Sequence, residues 1–211
     1  MQDGNVAGVL LAAGEGRRLG QPKALIVLGG QSLARRGVAL LRGGGAEPVI
    51  VVTGAAGPGD LGAGAEPPGD AGSVLTVHNP DWRSGMGSSL RAGLSAVPGN
   101  CAAAVLALAD QPLVGAAAVA RLIEAFAAGA GVAVACYDGQ PRNPVLISRE
   151  HWPEVAALAT GDVGARPFLR RHQALVTRVE CADTGRPDDI DTAGDLARIE
   201  KLLTGREAAA S

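Results

Sequence analysis

Apolar positions along this chain follow two alternating rhythms. Short continuous apolar runs cover residues 6–12, Val49 to Val52, Val74 to Val77, Ala104 to Ala109, Val132 to Cys136 and a stretch around Leu175 to Val179. Runs of this kind, bounded by Gly, Asn or Asp, predict strands buried on both faces. Between them apolar residues recur at helical spacing, over about 32–42, 88–96, 116–128, 149–159, 164–171 and 192–203. Ser32 reads as an N-cap and Gly43 as a stop for the first helix, and Ser88 as the cap of the second. Asp138-Gly139 marks a turn before Pro144 to Ile147, which predicts an antiparallel excursion. Strands alternating with helices predict an α/β, doubly wound and mostly parallel sheet.

Residues 54–72 are rich in Gly, Pro and Ala, lack periodicity and predict a mobile loop; 205–211 predict a tail. A chain of 211 residues is expected to form one domain over 1–211. The net charge of −2 gives no footprint for nucleic acid. The first apolar run is short, lies after Asp3 and is followed by Glu15-Gly16-Arg17-Arg18. It fits neither a secretory signal nor a membrane span, so no membrane partner and a cytoplasmic location are expected. Cys101, Cys136 and Cys181 contain no C-x-x-C pair, which predicts reduced thiols rather than a zinc or iron–sulfur site.

Chemistry concentrates where strands end. The first run leads into Leu11-Ala12-Ala13-Gly14-Glu15-Gly16-Arg17-Arg18-Leu19-Gly20-Gln21-Pro22-Lys23. Gly14 and Gly16 let backbone N–H groups approach an anion, and Arg18 and Lys23 add fixed positive charge. The loop suits a triphosphate. It is not a Walker loop, because Lys23 precedes Ala24 rather than Ser or Thr. A dinucleotide fingerprint fits poorly, because Pro22 and a second apolar segment, Ala24 to Leu28, come before any helix.

Asp110 follows a strand directly and can anchor a hard cation such as Mg²⁺, which takes one or two carboxylates plus phosphate oxygens. It can equally start a turn. Asp189 and Asp191 form a second acidic pair, and either Asp191 or Thr192 can cap the last helix. Asn79 offers a donor and an acceptor to a ribose or base edge. Gly85 permits close backbone approach, and Ser88 opens a helix whose N–H groups favour an anion. Arg142 and Arg166 can each grip a phosphate.

The loop, together with Asn79-Pro80-Asp81-Trp82-Arg83-Ser84-Gly85-Met86-Gly87-Ser88-Ser89-Leu90, Asp110-Gln111-Pro112, Gly161-Asp162-Val163-Gly164-Ala165-Arg166 and Asp189-Ile190-Asp191-Thr192, resembles the molybdenum cofactor cytidylyltransferase group of Rossmann-like nucleotidyltransferases. The resemblance runs from residue 6 to about 200. It implies a Rossmann-like three-layer sandwich and CMP transfer from CTP to the terminal phosphate of molybdenum-bound molybdopterin. Leu11, Ala12, Ala13, Gly14, Gly16, Asn79, Gly85 and Ser88 would bind the nucleotide. Arg18 and Lys23 would stabilise the leaving pyrophosphate, Arg142 and Arg166 would bind the acceptor, and Asp110 and Asp191 would hold Mg²⁺. A recipient molybdoenzyme is the implied protein partner. Ala13 and Gln111 resemble the cytidylyl rather than the guanylyl branch. The alternatives are another nucleotide or acceptor such as a sugar phosphate, a dinucleotide-dependent oxidoreductase, and a non-catalytic cofactor-binding maturation partner.

Overall fold

The computed structural model of the chain describes residues 4–57, 59–61 and 74–209. Its centre is strand β1 (Asn5–Leu11), buried along almost its whole length. Alternate residues of β1 feed two different cores. Val6 and Leu10 pack under helix α1 (Leu33–Gly43) and helix α3 (Ala116–Ala127). Ala7 and Val9 pack under α2 (Met86–Ala96) and α4 (Trp152–Leu158), a core that also holds Phe168 of α5 (Arg166–Arg171). This division follows from the two-residue period of a strand: one apolar run supplies both faces. Three layers result.

The sheet has seven strands in the order β5-β4-β1-β6-β8-β7-β9. Strands β4 (Val49–Thr53), β5 (Val74–His78) and β6 (Cys101–Leu108) run parallel to β1 and its neighbours. Strand β8 (Gln140–Ser148) lies antiparallel between β6 and β7 (Val132–Tyr137), and β9 (Val176–Glu180) pairs parallel with β7. The fold is therefore the expected α/β sandwich with one antiparallel excursion. A small hairpin, β2 (Val27–Leu28) and β3 (Gln31–Ser32), stands apart from the sheet. With α6 (Ala193–Ala209) it encloses a third core of Ile26, Leu28, Leu33, Leu113, Ile190 and Ile199.

Ser32 caps α1 as expected, its Oγ accepting from the Arg35 N–H at 3.3 Å. Three boundaries differ from the sequence reading. Helix α2 begins at Met86, with Gly85 rather than Ser88 at its cap position. The helix expected over 149–159 is a single 3₁₀ turn, Arg149–His151, leading into the short α4. Helix α6 continues to Ala209, through part of the expected tail, because Gly205 is followed by good helix formers. Most of the loop predicted over 54–72 falls outside the described residues. Among the described residues no helix is long and apolar enough to cross a membrane. All three cysteines are buried and free.

Candidate active site

The carboxyl ends of β1 and β6 meet at one edge of the sheet, as the parallel pairing of Leu11 with Leu108 requires. After Leu11 the chain turns through Gly16, whose φ is +64°. A β-carbon there would lie 2.1 Å from the Gln21 carbonyl oxygen, so only glycine fits. The loop closes when the Lys23 N–H donates to the Gly14 carbonyl at 3.1 Å. It forms one wall of a cleft of about 540 Å³ that also takes in Trp82, Gly85, Met86 and Asp110. Leu11, Ala12, Ala13, Gly14 and Gly16 all line it.

At the cleft floor Lys23 joins two acidic segments far apart in sequence. Its Nζ lies 2.7 Å from Asp110 Oδ2 and 2.5 Å from Asp191 Oδ1. The lysine and Asp110 are largely buried, whereas Asp191 is more than half exposed. Burial alone would lower the lysine's pKa. The charges and hydrogen bonds of Asp110 and Asp191 outweigh it and hold the pKa above the ordinary value. Asp191 is free for this contact because Thr192 and Asp195 cap α6 reciprocally. The Thr192 N–H and Oγ donate to Asp195 Oδ2 at 2.9 and 2.8 Å, and the Asp195 N–H returns a bond to Thr192 Oγ1 at 3.2 Å. Asp110 and Asp191 thus offer hard oxygens to one shared cation position, now filled by an ammonium. That donor set suits a small divalent metal.

The segment after β5 is held by a buried clip. Asn79 Nδ2 donates to Ser88 Oγ at 2.8 Å and to Ser89 Oγ at 3.0 Å, while its Oδ1 accepts the Asp81 N–H at 3.0 Å. Ser88 in turn donates to the carbonyls of Asp81 and Gly85. The Asn79 amide thus makes its hydrogen bonds inside the loop, and one expectation is corrected: Ser88 ties that loop together rather than capping α2. The α2 N-terminus is capped instead from a distance, the Met86 N–H donating to Asp162 Oδ1 at 3.2 Å. Gly85 makes this docking possible: its φ is +110°, and a β-carbon would lie 2.3 Å from the Gly161 carbonyl carbon. Trp82 lines the cleft with Arg83 stacked over its ring at 4.4 Å.

A second cavity, of about 690 Å³, opens beside the first. It brings together the two arginines expected on the acceptor side, Arg142 and Arg166, and adds Arg170 and Arg178. Arg170 stands four residues after Arg166 on α5, a spacing that marks one helix face and was legible. Arg178 shares the strand face of Val176, which also lines the cavity, but choosing it needed the sheet order. The contrary charge is Asp189, whose Oδ1 accepts from Gln111 Nε2 at 2.9 Å. Its carboxyl is held above the usual range, first by loss of solvating water and then by Asp110 and Asp191, against the pull of the Gln111 bond. Asp189 lines this cavity, whereas Asp191 turns to Lys23. On the phosphate loop, Arg17 rather than Arg18 lines the cleft, paired with Glu15 at 2.5 Å, and Arg18 is exposed.

The edge carries a glycine loop and a lysine–carboxylate cluster on one side and an arginine-lined cavity on the other, a layout that fits an α/β group-transfer enzyme. The chain belongs to the MobA-like NTP transferase domain family, whose model matches residues 8–176. It is 36% identical to the nicotine blue oxidoreductase of Paenarthrobacter nicotinovorans, across 92% of this chain and 96% of that protein. Over 47 residues, 22% of this chain and 23% of that protein, it is 53% identical to a probable molybdenum cofactor guanylyltransferase of Opitutus terrae. The crystal structure of Rv0371c from Mycobacterium tuberculosis H37Rv in complex with manganese matches with a TM-score of 0.72 and 26% identity, covering 93% of this chain and 98% of that one.

Proposed function

We propose that this protein transfers CMP from CTP to the terminal phosphate of molybdenum-bound molybdopterin. The single observation that carries the reading is the Lys23–Asp110–Asp191 cluster under the glycine loop, one residue from the arginine-lined cavity. In this reaction an oxygen of the acceptor phosphate attacks the α-phosphorus of CTP. The bond to the bridging oxygen breaks, and pyrophosphate leaves with the electron pair. The attacking phosphate is already anionic, so no strong protein base is needed. Catalysis is positioning and charge neutralisation.

The glycine loop would hold the triphosphate with backbone N–H groups, and Lys23 with the loop arginines, Arg17 at the cleft wall and Arg18 exposed beside it, would neutralise charge on the leaving pyrophosphate. Asp110 and Asp191 would hold Mg²⁺, which would supply neutralisation of phosphate charge. Arg142 and Arg166 grip the acceptor. Asn79 and Ser88 serve the nucleotide indirectly, by shaping the loop that presents Gly85 and Trp82. The sequence Leu11-Ala12-Ala13-Gly14 and Gln111 favour cytidine, by likeness to the cytidylyl branch.

The test is incubation with each labelled NTP, Mg²⁺ and molybdenum-loaded molybdopterin, following pyrophosphate release and nucleotide incorporation. CTP is expected to exceed GTP in kcat/KM; equal turnover would sink the cytidylyl assignment and spare the transferase class. Incorporation only with a sugar phosphate would replace the acceptor. The name of the 36%-identical relative favours a second reading, a dinucleotide-dependent oxidoreductase using the same loop. NAD(P)H oxidation with nicotine blue, and no pyrophosphate from any NTP, would decide for it.

A further inference from the structure

We propose that Asp189 and Gln111 form a donor-reading edge in the second cavity, selecting an acceptor heterocycle that presents adjacent N–H groups, as the 2-amino-4-oxo pyrimidine ring of a pterin does. The inference rests on the reading of this cavity as the acceptor site.

The argument is one of matching donors with acceptors. Arg142, Arg166, Arg170 and Arg178 give the cavity wall an excess of hydrogen-bond donors that can take only acceptor groups of a ligand, such as phosphate oxygens. A ligand's own N–H groups must find their partners elsewhere. Asp189 is the carboxylate in the lining, and Gln111 is its hydrogen-bond partner among the described residues. That bond uses one lone pair of Oδ1 and leaves the other, together with Oδ2, to accept. It also fixes the Gln111 amide, because turning it over would set two acceptors against each other. Gln111 Oε1 is thereby a buried acceptor without a partner, on a side chain only 6% exposed. That oxygen is turned away from the cavity, so Gln111 acts on a ligand only by holding Asp189 in place.

A carboxylate meeting two adjacent N–H groups makes the same two-pronged contact that it makes with a guanidinium. N3–H and the 2-amino group of a pterin form such a pair. A lumazine, with oxygen in place of the 2-amino group, turns an acceptor toward Asp189 and is repelled. The two rings also differ at N1, a bare acceptor in the pterin and an N–H in the lumazine, so the contact is read from how Asp189→Asn changes the preference rather than from the preference alone.

The experiment is a fluorescence titration of the full chain with pterin-6-carboxylate and with lumazine-6-carboxylate, the carboxylate standing in for an anionic arm. The expected result is a preference for the pterin of about 10- to 100-fold, the scale of one hydrogen bond to a charged group. Asp189→Asn keeps shape and can still accept from Gln111, but presents N–H groups to the ligand. It should reverse the preference toward lumazine, a result that a merely structural role for Asp189 would not produce. Arg166→Ala should weaken both probes alike. Equal binding of the two probes by the unaltered protein, or an unchanged preference in Asp189→Asn, would overturn the donor-reading edge and leave the cavity as acceptor site. If neither probe binds while the chain still takes up CTP, both the edge and the pterin acceptor fall, and the nucleotide half of the proposal stands.

Discussion

A single ammonium shared by two carboxylates makes Lys23 the most constrained side chain of the cleft. Lys23→Ala should lower transfer by about 10²-fold or more, the usual scale for losing one electrostatic contact in the transition state. Turnover near that of the unaltered protein at saturating CTP would remove the lysine from the reaction. Asp110→Asn keeps the shape and discards the charge; turnover should collapse and its dependence on divalent cation concentration should shift. Full activity at limiting Mg²⁺ would leave Asp110 a turn residue. Asp110 was legible because it follows a strand at the sheet edge where ligands gather, Lys23 because it adds charge to the glycine loop, and Asp191 only through the family resemblance. The hydrogen-bond setting of Asn79 was not legible, for a physical reason. A polar side chain in a loop can face a ligand or its own loop, and only the positions of Ser88 and Ser89 decide.

At the scale of elements, the sequence foretold strands and helices well wherever the signal was local. Ser32 before α1 and Asp138-Gly139 before β8 are such signals, and the Thr192–Asp195 box would have been another. It failed at the start of α2 because the group that caps Met86 lies 76 residues away, at Asp162. Local preference chose Ser88; tertiary docking chose Gly85. Gly85→Ala tests that docking. The substitution combines an unfavourable φ of +110° with a β-carbon 2.3 Å from the Gly161 backbone. A loss of about 1–3 kcal/mol is expected in denaturant unfolding, from strain and overpacking together. An unchanged midpoint would mean that the 161–162 segment yields freely and does not fix the helix.

Across the whole molecule, the strands fall into two groups. β5, β4, β1 and β6 precede residue 109 and carry the cleft under the glycine loop; β8, β7 and β9 follow and flank the arginine cavity. The doubly wound architecture and its antiparallel excursion were visible in the order of apolar runs. The pairing of β8 with β6, which sets the two cavities side by side, was not, because nothing local encodes a strand's neighbour. The division predicts separable effects. Arg166→Ala should raise KM for the acceptor about 10- to 100-fold, the scale of lost charge-assisted hydrogen bonds, with CTP affinity nearly unchanged. Calorimetry with CTP beside acceptor kinetics checks both halves. A fall in CTP affinity with an unmoved acceptor KM would assign Arg166 to the nucleotide.

Asp110 faces the cleft, and the very next residue, Gln111, lines the cavity. Neighbouring α-carbons across a trans peptide stand about 3.8 Å apart, a spacing that bond lengths and planarity do not let vary. The walls of the two cavities are therefore joined by one peptide unit at the mouth of β6, and in the proposed reaction that unit, with no hinge included, would gauge the gap between the two ligands. Where enzymes of two domains set such a gap by closing, and inherit the scatter of that motion, here it is cut to length when the chain is made.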